Sequence, residues 1–367
     1  TFWRSRLTMT HVLVIGAYGS AGVAVADTLV SHVDDDIDRL TLVDDGDPAG
    51  GLCILRGCMP SKELLSAAGH HYQARHDHRL DGEAPAMDLD AVVATKDEHI
   101  SSFASHRRAA VEKMADTDGV ELVRERGQFV GERKIRAGDR EFDPDYVVVA
   151  TGSRQFVPDL PGIEDVDYLT SDDVLDATDL PDSGVVMGFG YVGLELVPYL
   201  AEAGVDLTVV EHDEPPLDKG DPAFGDELLD IYREEFDVDV RTEVYEERIE
   251  RTDDGVSLHL DDGSTVDAES LFLFTGRTPN VDGLNLDAAG ITPEGEWVDA
   301  TMRPDGADGV FVVGDANGRE PILHVAKEQG FLTADNILAD VHGEELDAYH
   351  NVHHHVIFSG ATVYPYA

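Results

Sequence analysis

Gly50-Gly51-Leu52-Cys53-Ile54-Leu55-Arg56-Gly57-Cys58-Met59-Pro60-Ser61-Lys62 is the stretch on which the reading of this 367-residue chain turns. It holds both of the chain's cysteines, with four residues between them. That spacing suits zinc poorly, since no second pair exists to complete four ligands and the nearby histidines begin only at His70 and His71. Two inert structural thiols are the plainer alternative. A redox-active pair accounts for more of the surroundings. Cys58 is expected just before a helix whose first turn Pro60 marks, where the positive end of the helix dipole favours a thiolate. Gly50, Gly51 and Gly57 would let the loop lie against a flat ring.

Working outward, the same supersecondary unit occurs twice, about 170 residues apart. His11 to Ile15 is a short apolar run that ends in Gly16-Ala17-Tyr18-Gly19-Ser20-Ala21-Gly22, and Val23 to Val30 continues with helical character. A second strand, Leu40 to Val43, ends in Asp44, and the cysteine run follows at once. Later, a strand from Val185 leads into Gly188-Phe189-Gly190-Tyr191-Val192-Gly193. A helix then runs through Ala203, and strand Asp206 to Val210 ends in Glu211. In a dinucleotide turn the glycines let the backbone approach a pyrophosphate, the helix N-terminus supplies unpaired N–H groups, and an acid about 20 residues on holds a ribose. The second copy meets every condition, with Glu211 placed 23 residues after Gly188. His212, Asp213 and Glu214 follow it with no Arg to receive a 2′-phosphate, which favours NADH over NADPH. The first copy has one extra residue. Either Tyr18 forms a one-residue bulge, or it replaces the second glycine and crowds the phosphates.

Between and beyond these units, strand-like Tyr146 to Ala150 runs into Thr151-Gly152-Ser153-Arg154, and Pro158 and Pro161-Gly162 mark a crossover. Leu271 to Phe274 leads to Thr275-Gly276-Arg277-Thr278-Pro279-Asn280. Val310 to Val313 leads to Gly314-Asp315, and a helix follows near Ile322 to Leu338. The stretch from His70 to Glu125 is polar and mostly helical in pattern. Tyr349 to Ala367 begins something β-like.

The length suggests two or three domains, for which 42% hydrophobic residues are sufficient. With 75 acidic against 27 basic residues the net charge is -48, which makes nucleic acid and anionic membranes poor partners. Lysine is scarce, at positions 62, 96, 113, 134, 219 and 327, and acids cluster as at Asp34 to Asp36. This composition resembles proteins of salt-loving archaea, since molar salt shortens the screening length to roughly 3 Å and mutes self-repulsion. No apolar run approaches the ~18 residues of a membrane span. The opening TFWRSRLT has no signal-peptide core and reads as upstream sequence without structure. A close cysteine pair, and no others, points to a reducing, cytoplasmic compartment.

Taken in order, GGLCILRGCMPSK, ATGSR (150–154), GFGYVGLE (188–195), TGRTPN (275–280), VFVVGD (310–315) and ILHVAKEQG (322–330) resemble the pyridine-nucleotide disulfide oxidoreductases, the group of dihydrolipoamide dehydrogenase, glutathione reductase and mercuric reductase. The resemblance implies an α/β protein with two Rossmann-like dinucleotide-binding domains, the FAD domain being split around an inserted NAD domain. The expected boundaries are 9–152 and 278–345 for FAD, 153–277 for NAD, and 346–367 for the start of an α+β dimerisation domain. It implies FAD and NAD(H) as cofactors and a homodimer for the full-length family form, and the residues themselves lead to the expectation of no metal.

By the same resemblance Cys58 would be the thiolate against the flavin and Cys53 the thiol that exchanges with substrate. Lys62 would sit at the reactive flavin edge as a buried ammonium paired with Glu195. FAD would further be held by Gly16, Gly19, Ser20, Ala21, Gly22, Asp44, Gly51, Thr151, Gly152, Gly314, Asp315 and His324. NAD would be held by Gly188, Gly190, Tyr191, Val192, Gly193, Glu211 and Gly276, with Tyr191 covering the nicotinamide pocket. Electrons would pass between a dithiol or disulfide substrate, the cysteine pair, FAD and NAD, in a dihydrolipoamide dehydrogenase-like reaction. A mercuric reductase-like or other disulfide reductase is the alternative, and a non-catalytic flavin-binding redox sensor or fragment is the reading of another class.

Three departures from the family pattern stand out. Leu52 and Leu55 replace the usual Thr and Asn, and Arg56 places a charge in the redox loop. The family also continues for roughly another hundred residues, which supply a His and Glu pair across the dimer. The chain is therefore expected to be truncated, with His353, His354 and His355 no substitute for that pair.

Overall fold

The computed structural model describes residues 9–212, 221–350, 355–358 and 363–366. The opening TFWRSRLT, Asp213, Glu214, His353, His354 and the side chain of His355 lie outside the described residues. Eight α-helices occur among them: α1 (Ser20–Val30), α2 (Leu52–Leu55), α3 (Cys58–His76), α4 (Leu89–Ala115), α5 (Ser171–Val174), α6 (Tyr191–Glu202), α7 (Pro222–Glu235) and α8 (Leu323–His342). The chain divides into two compact units. One takes Thr1–Leu55, Ser101–Arg154 and Arg277–Asn351, and the other takes Arg56–Ile100, Gln155–Gly276 and Val352–Ala367.

In the first unit five parallel strands lie in the order Val310–Val312, Tyr146–Val149, His11–Ile15, Arg39–Val43, Val120–Val123. Their sequences, such as HVLVI, YVVV and VFV, are apolar almost without interruption. That is what a parallel strand covered on both faces requires. Val12, Leu13, Val14, Val147 and Val148 are fully buried, each contributing roughly 1.5–3 kcal/mol relative to exposure. Helices α1 and α8 pack closely because Gly330 has no side chain. A Cβ there would stand 2.6 Å from the Ala21 carbonyl oxygen and 2.9 Å from the Ala24 Cβ.

The second unit repeats the plan with strands Asp239–Arg241, Asp206–Val210, Ser183–Met187, Ser270–Leu273 and Tyr168–Thr170, again all parallel. In each sheet the strand that precedes a glycine turn lies between its successor in sequence and a strand from much later in the chain. This is the point where strand order reverses, and ligands of open α/β sheets bind beyond the carboxyl ends there.

The strands foreseen from sequence agree with these to within a residue or two. The rest of the pattern was coarser. Helix α3 continues past Ala68 to His76, α4 runs for 27 residues, and Val120–Val123 is a strand within a stretch read as helical. Two antiparallel additions were not foreseen: a meander of Glu246–Thr252, Gly255–Leu260 and Thr265–Ala268, although Asp254-Gly255 and Asp262-Gly263 are turn signals between its strands, and a smaller sheet of Gly127–Phe129, Ile135–Ala137 and Arg140–Phe142. The β-like tail is the hairpin His355–Phe358 with Val363–Tyr366.

Candidate active site

Both cysteines are disulfide-bonded, and neither is free. Cys53 lies in α2, and Cys58 is the first residue of α3 rather than the residue before it. Its amide therefore belongs to the helix's uncapped first turn. Pro60, the third residue of α3, has no N–H to leave unpaired there. Ser61 closes the turn, its amide donating to the Gly57 carbonyl at 3.2 Å and its hydroxyl to the Cys58 carbonyl at 3.2 Å.

Lys62 lies one helical turn after Cys58, on the same face of α3. Its Nζ donates to Glu195 Oε2 at 2.5 Å and stands 4.9 Å from the centre of the Phe358 ring. A buried Lys62 is expected from the sequence. Its side chain is 34% exposed, and Glu195 is the less exposed partner at 14%.

A second clamp ties the same two helices farther along. Glu202 of α6, with 1% of its side chain exposed, accepts from His71 and from Arg75 of α3, the Arg75 Nη2 contact being 2.6 Å. Lys62 and Glu195 each stand fifth in their helices, and both sequence numbers rise together along the contacts. Helices α3 and α6 are thus parallel, with their N-termini level.

The two glycine turns can be compared residue by residue. In the second, Gly188 N donates to the Val210 carbonyl and Phe189 N to Glu211 Oε2 at 2.5 Å, and Gly190 caps α6. In the first, Gly16 N and Ala17 N both donate to the Val43 carbonyl. Tyr18 N then donates to Asp44 Oδ2 at 2.9 Å, and Gly19 caps α1. The extra residue is absorbed as a bulge, and Gly19, not Tyr18, takes the second-glycine place. Tyr18 itself is 1% exposed and packs in the core.

The third glycines have a steric reason in both copies. A Cβ on Gly22 would meet Gly16 O at 2.2 Å, and one on Gly193 would meet Gly188 O at 2.5 Å. Ser20 and Ala21 begin α1, and Tyr191 and Val192 begin α6, with Tyr191 42% exposed. Gly51, at φ +79°, brings the cysteine run onto the first turn, where a Cβ would stand 2.9 Å from both Tyr18 O and Gly19 Cα.

Asp44 also accepts from Gly46 N at 2.9 Å, and burial pushes its carboxyl above the usual range. Across the same unit, Ser153 Oγ donates to Asp315 Oδ2 at 2.7 Å while accepting from Arg277 Nε at 2.9 Å. Gly314 N and Asn317 Nδ2 both donate to Gln329 Oε1 at 2.8 Å, which seats the Gly314-Asp315 turn on α8. His324 lies in the first turn of α8.

The sequence reading missed Arg107 and Arg108 of α4. Arg107 donates to the Tyr18 carbonyl and Arg108 to the Ala49 carbonyl, each at 3.0 Å. No carboxylate pairs with Arg107 among the described residues, and burial alone pushes its pKa down. The adjacent pair of arginines in so acidic a chain was the available signal.

A family described as pyridine nucleotide-disulphide oxidoreductase matches residues 10–330. Its members are NAD(P)-linked flavoproteins that act on sulfur groups and bind FAD and NAD(P)H. Over 353 residues the chain is 32% identical to a dihydrolipoyl dehydrogenase of Halobacterium salinarum, covering 91% of this chain and 71% of that protein. It is 26% identical to a mercuric reductase of Bacillus cereus, covering 89% of this chain but only 51% of that protein. Among solved structures, LpdA from Mycobacterium tuberculosis superposes with a TM-score of 0.80 at 25% identity, covering 96% of this chain and 76% of that one. The HOCl-induced flavoprotein disulfide reductase RclA from Escherichia coli, as its Cu(II) complex, gives 0.79 at 23% identity, covering 95% and 75%. With its twin parallel sheets, its disulfide at the head of a helix and a match through most of its length, the chain belongs to the pyridine nucleotide-disulphide oxidoreductase family.

Proposed function

We propose that this protein passes electrons between NAD(H) and a dithiol or disulfide substrate through FAD and the Cys53–Cys58 disulfide, in the manner of a dihydrolipoyl dehydrogenase. The observation that carries the reading is the disulfide at the start of α3 with Lys62 and Glu195 paired one turn on. We assign residues 9–152 and 278–345 to FAD and 153–277 to NAD, with 346–367 as the start of a dimerisation domain. The two five-stranded parallel sheets, each with its own glycine turn, support one dinucleotide domain apiece, while 56–100 cluster with the second sheet.

The residues present fit both cofactors. Helices α1 and α6 begin at glycine caps with no side-chain cap, so their first amides remain for a pyrophosphate. A Cβ on Gly152, Gly190 or Gly276 would meet nothing within 4 Å, so each has open space beside it. Thr151 Oγ1 is buried without a partner among the described residues, which suits a ligand with polar edges. When bound, the flavin supplies two-electron exchange with the nicotinamide.

The cysteines carry out the sulfur half. With the pair reduced, the Cys53 thiol gives up its proton as its sulfur attacks one sulfur of a substrate disulfide, and the other substrate sulfur leaves as a thiolate that takes up a proton to become a thiol. Cys58 then attacks the Cys53 sulfur, closing the disulfide and releasing the second substrate thiol. The reverse sequence oxidises a dithiol. Lys62 holds positive charge beside the reacting groups, and Glu195 fixes it there.

Anaerobic addition of NADH to the purified protein tests this, since absence of flavin bleaching would defeat it. NADH should outpace NADPH by on the order of tenfold or more, because Glu211 opposes a 2′-phosphate. Glu211→Ser should narrow that gap. Equal or faster reduction by NADPH in the parent protein would overturn the NAD assignment.

Mercuric reductase-like chemistry is the second reading, favoured by the Bacillus cereus relative. We further propose a homodimer in a salt-rich, reducing cytoplasm. The net charge of -48 and relatives in Halobacterium, Haloferax and Haloarcula support the salt. No helix among the described residues is long and apolar enough to cross a membrane.

A further inference from the structure

Arg56 stands between the two cysteines, and the electron path has no use for it. Its guanidinium pairs with Asp176, which follows α5, and the other oxygen of that carboxylate accepts from Lys96 Nζ of α4. Lys96 is 3% exposed, and it also donates to the Leu175 carbonyl at 2.9 Å and lies 2.9 Å from Asp97. An ammonium so enclosed is a fixed post. Burial works against ionisation of Asp176, but the hydrogen bonds from Lys96 and Arg56 outweigh it and hold its carboxyl below the usual range.

A cation in a redox loop invites the reading that it receives an anionic substrate. The surroundings oppose that, since Asp172 and Asp97 stand near Arg56 as well as Asp176. Its charge is already matched.

We propose instead that Arg56, Asp176 and Lys96 form a tether that keeps the redox loop in place when the disulfide opens, and so lowers the reduction potential of the Cys53–Cys58 pair. The proposal rests on the redox role given to that pair above. On reduction the S–S bond breaks, two electrons and two protons enter, and the loop loses its covalent clip. A side-chain tether limits the freedom then gained, so the sulfurs stay close and the disulfide re-forms more readily. A bare positive charge would act oppositely, by favouring the thiolate and making reduction easier.

The two mechanisms differ in sign, which decides the experiment. The whole protein is equilibrated anaerobically with dithiothreitol, whose two thiols close to a cyclic disulfide as the protein disulfide becomes two thiols. The protein thiols are then counted by alkylation and mass spectrometry. Arg56→Gln and Asp176→Asn should each make the pair about fivefold easier to reduce, the ceiling expected for an exposed ion pair. That is a rise of about 20 mV, since tenfold is about 30 mV for two electrons. The double variant should add little, because both changes cut one link, and Arg56→Lys should retain part of the effect.

A pair harder to reduce in Arg56→Gln, an unchanged equilibrium, or full additivity would overturn the tether. If Asp176→Asn unfolds because Lys96 loses its partner, the comparison of Arg56→Gln with Arg56→Lys decides alone. Should NADH fail to reduce the parent protein while the dithiothreitol shifts persist, the proposed function falls and the tether stands.

Discussion

Replacing Cys58 with serine is expected to abolish NADH-driven reduction of a disulfide, by at least about 10³-fold, with flavin content unchanged. Serine has nearly the same size but cannot close a disulfide with Cys53. It would also place a poorly ionised hydroxyl at the head of α3, where the uncapped amides favour a thiolate. The Lys62 and Glu195 pair lies one turn away and does not depend on sulfur. Flavin absorbance per protein after gel filtration, set beside turnover with a disulfide substrate, reads both halves. Flavin lost together with activity would assign Cys58 a structural role and remove it from the electron path.

Gly22→Val should be nearly as severe for a different reason. The new Cβ would stand 2.2 Å from Gly16 O. Gly16 cannot yield easily, because it sits at φ +92° with its own Cβ direction 2.3 Å from Ala150 O. Strand, turn and helix are interlocked by two missing side chains. Roughly 3 kcal/mol or more of stability should be lost, and FAD should no longer be retained. Gly193→Val is the companion, at 2.5 Å from Gly188 O. It should keep FAD and lose the response to NADH. Apo-protein titrated with FAD, and thermal unfolding of each variant, separate the outcomes. FAD retained by Gly22→Val and lost by Gly193→Val would reverse the cofactor assignment of the two turns.

Much of the fold was legible because its signals are local. A buried parallel strand must be apolar throughout, as HVLVI and YVVV are, and a glycine turn must precede its helix at fixed spacing. The extra residue at Tyr18 blurred that spacing, and only the hydrogen bonds decided it, with Ala17 N and Gly16 N sharing one carbonyl while Tyr18 N takes the acid. What escaped reading depends on partners distant in sequence. His71 and Arg75 gave no hint that they meet Glu202, nor Lys96 that it meets Asp176. In the meander of 246–268 the outer strand EERIERT is almost all charged, which hides its one buried residue, Ile249, while Asp254-Gly255 and Asp262-Gly263 mark its turns. Leu52 and Leu55 of the redox run remain without a structural account.

The level, parallel start of α3 and α6 has a bearing on how the site would respond to a change of salt. Most of its charges are spread over the surface, where molar salt confines their reach to roughly 3 Å. The first amides of the two helices act at hydrogen-bond length on whatever lies against them, within that reach. Solubility and chemistry are thereby placed on different footings. The acidic coat answers to ionic strength, while the fields at the cysteine and at the dinucleotide turn stay nearly constant as the salt around them changes.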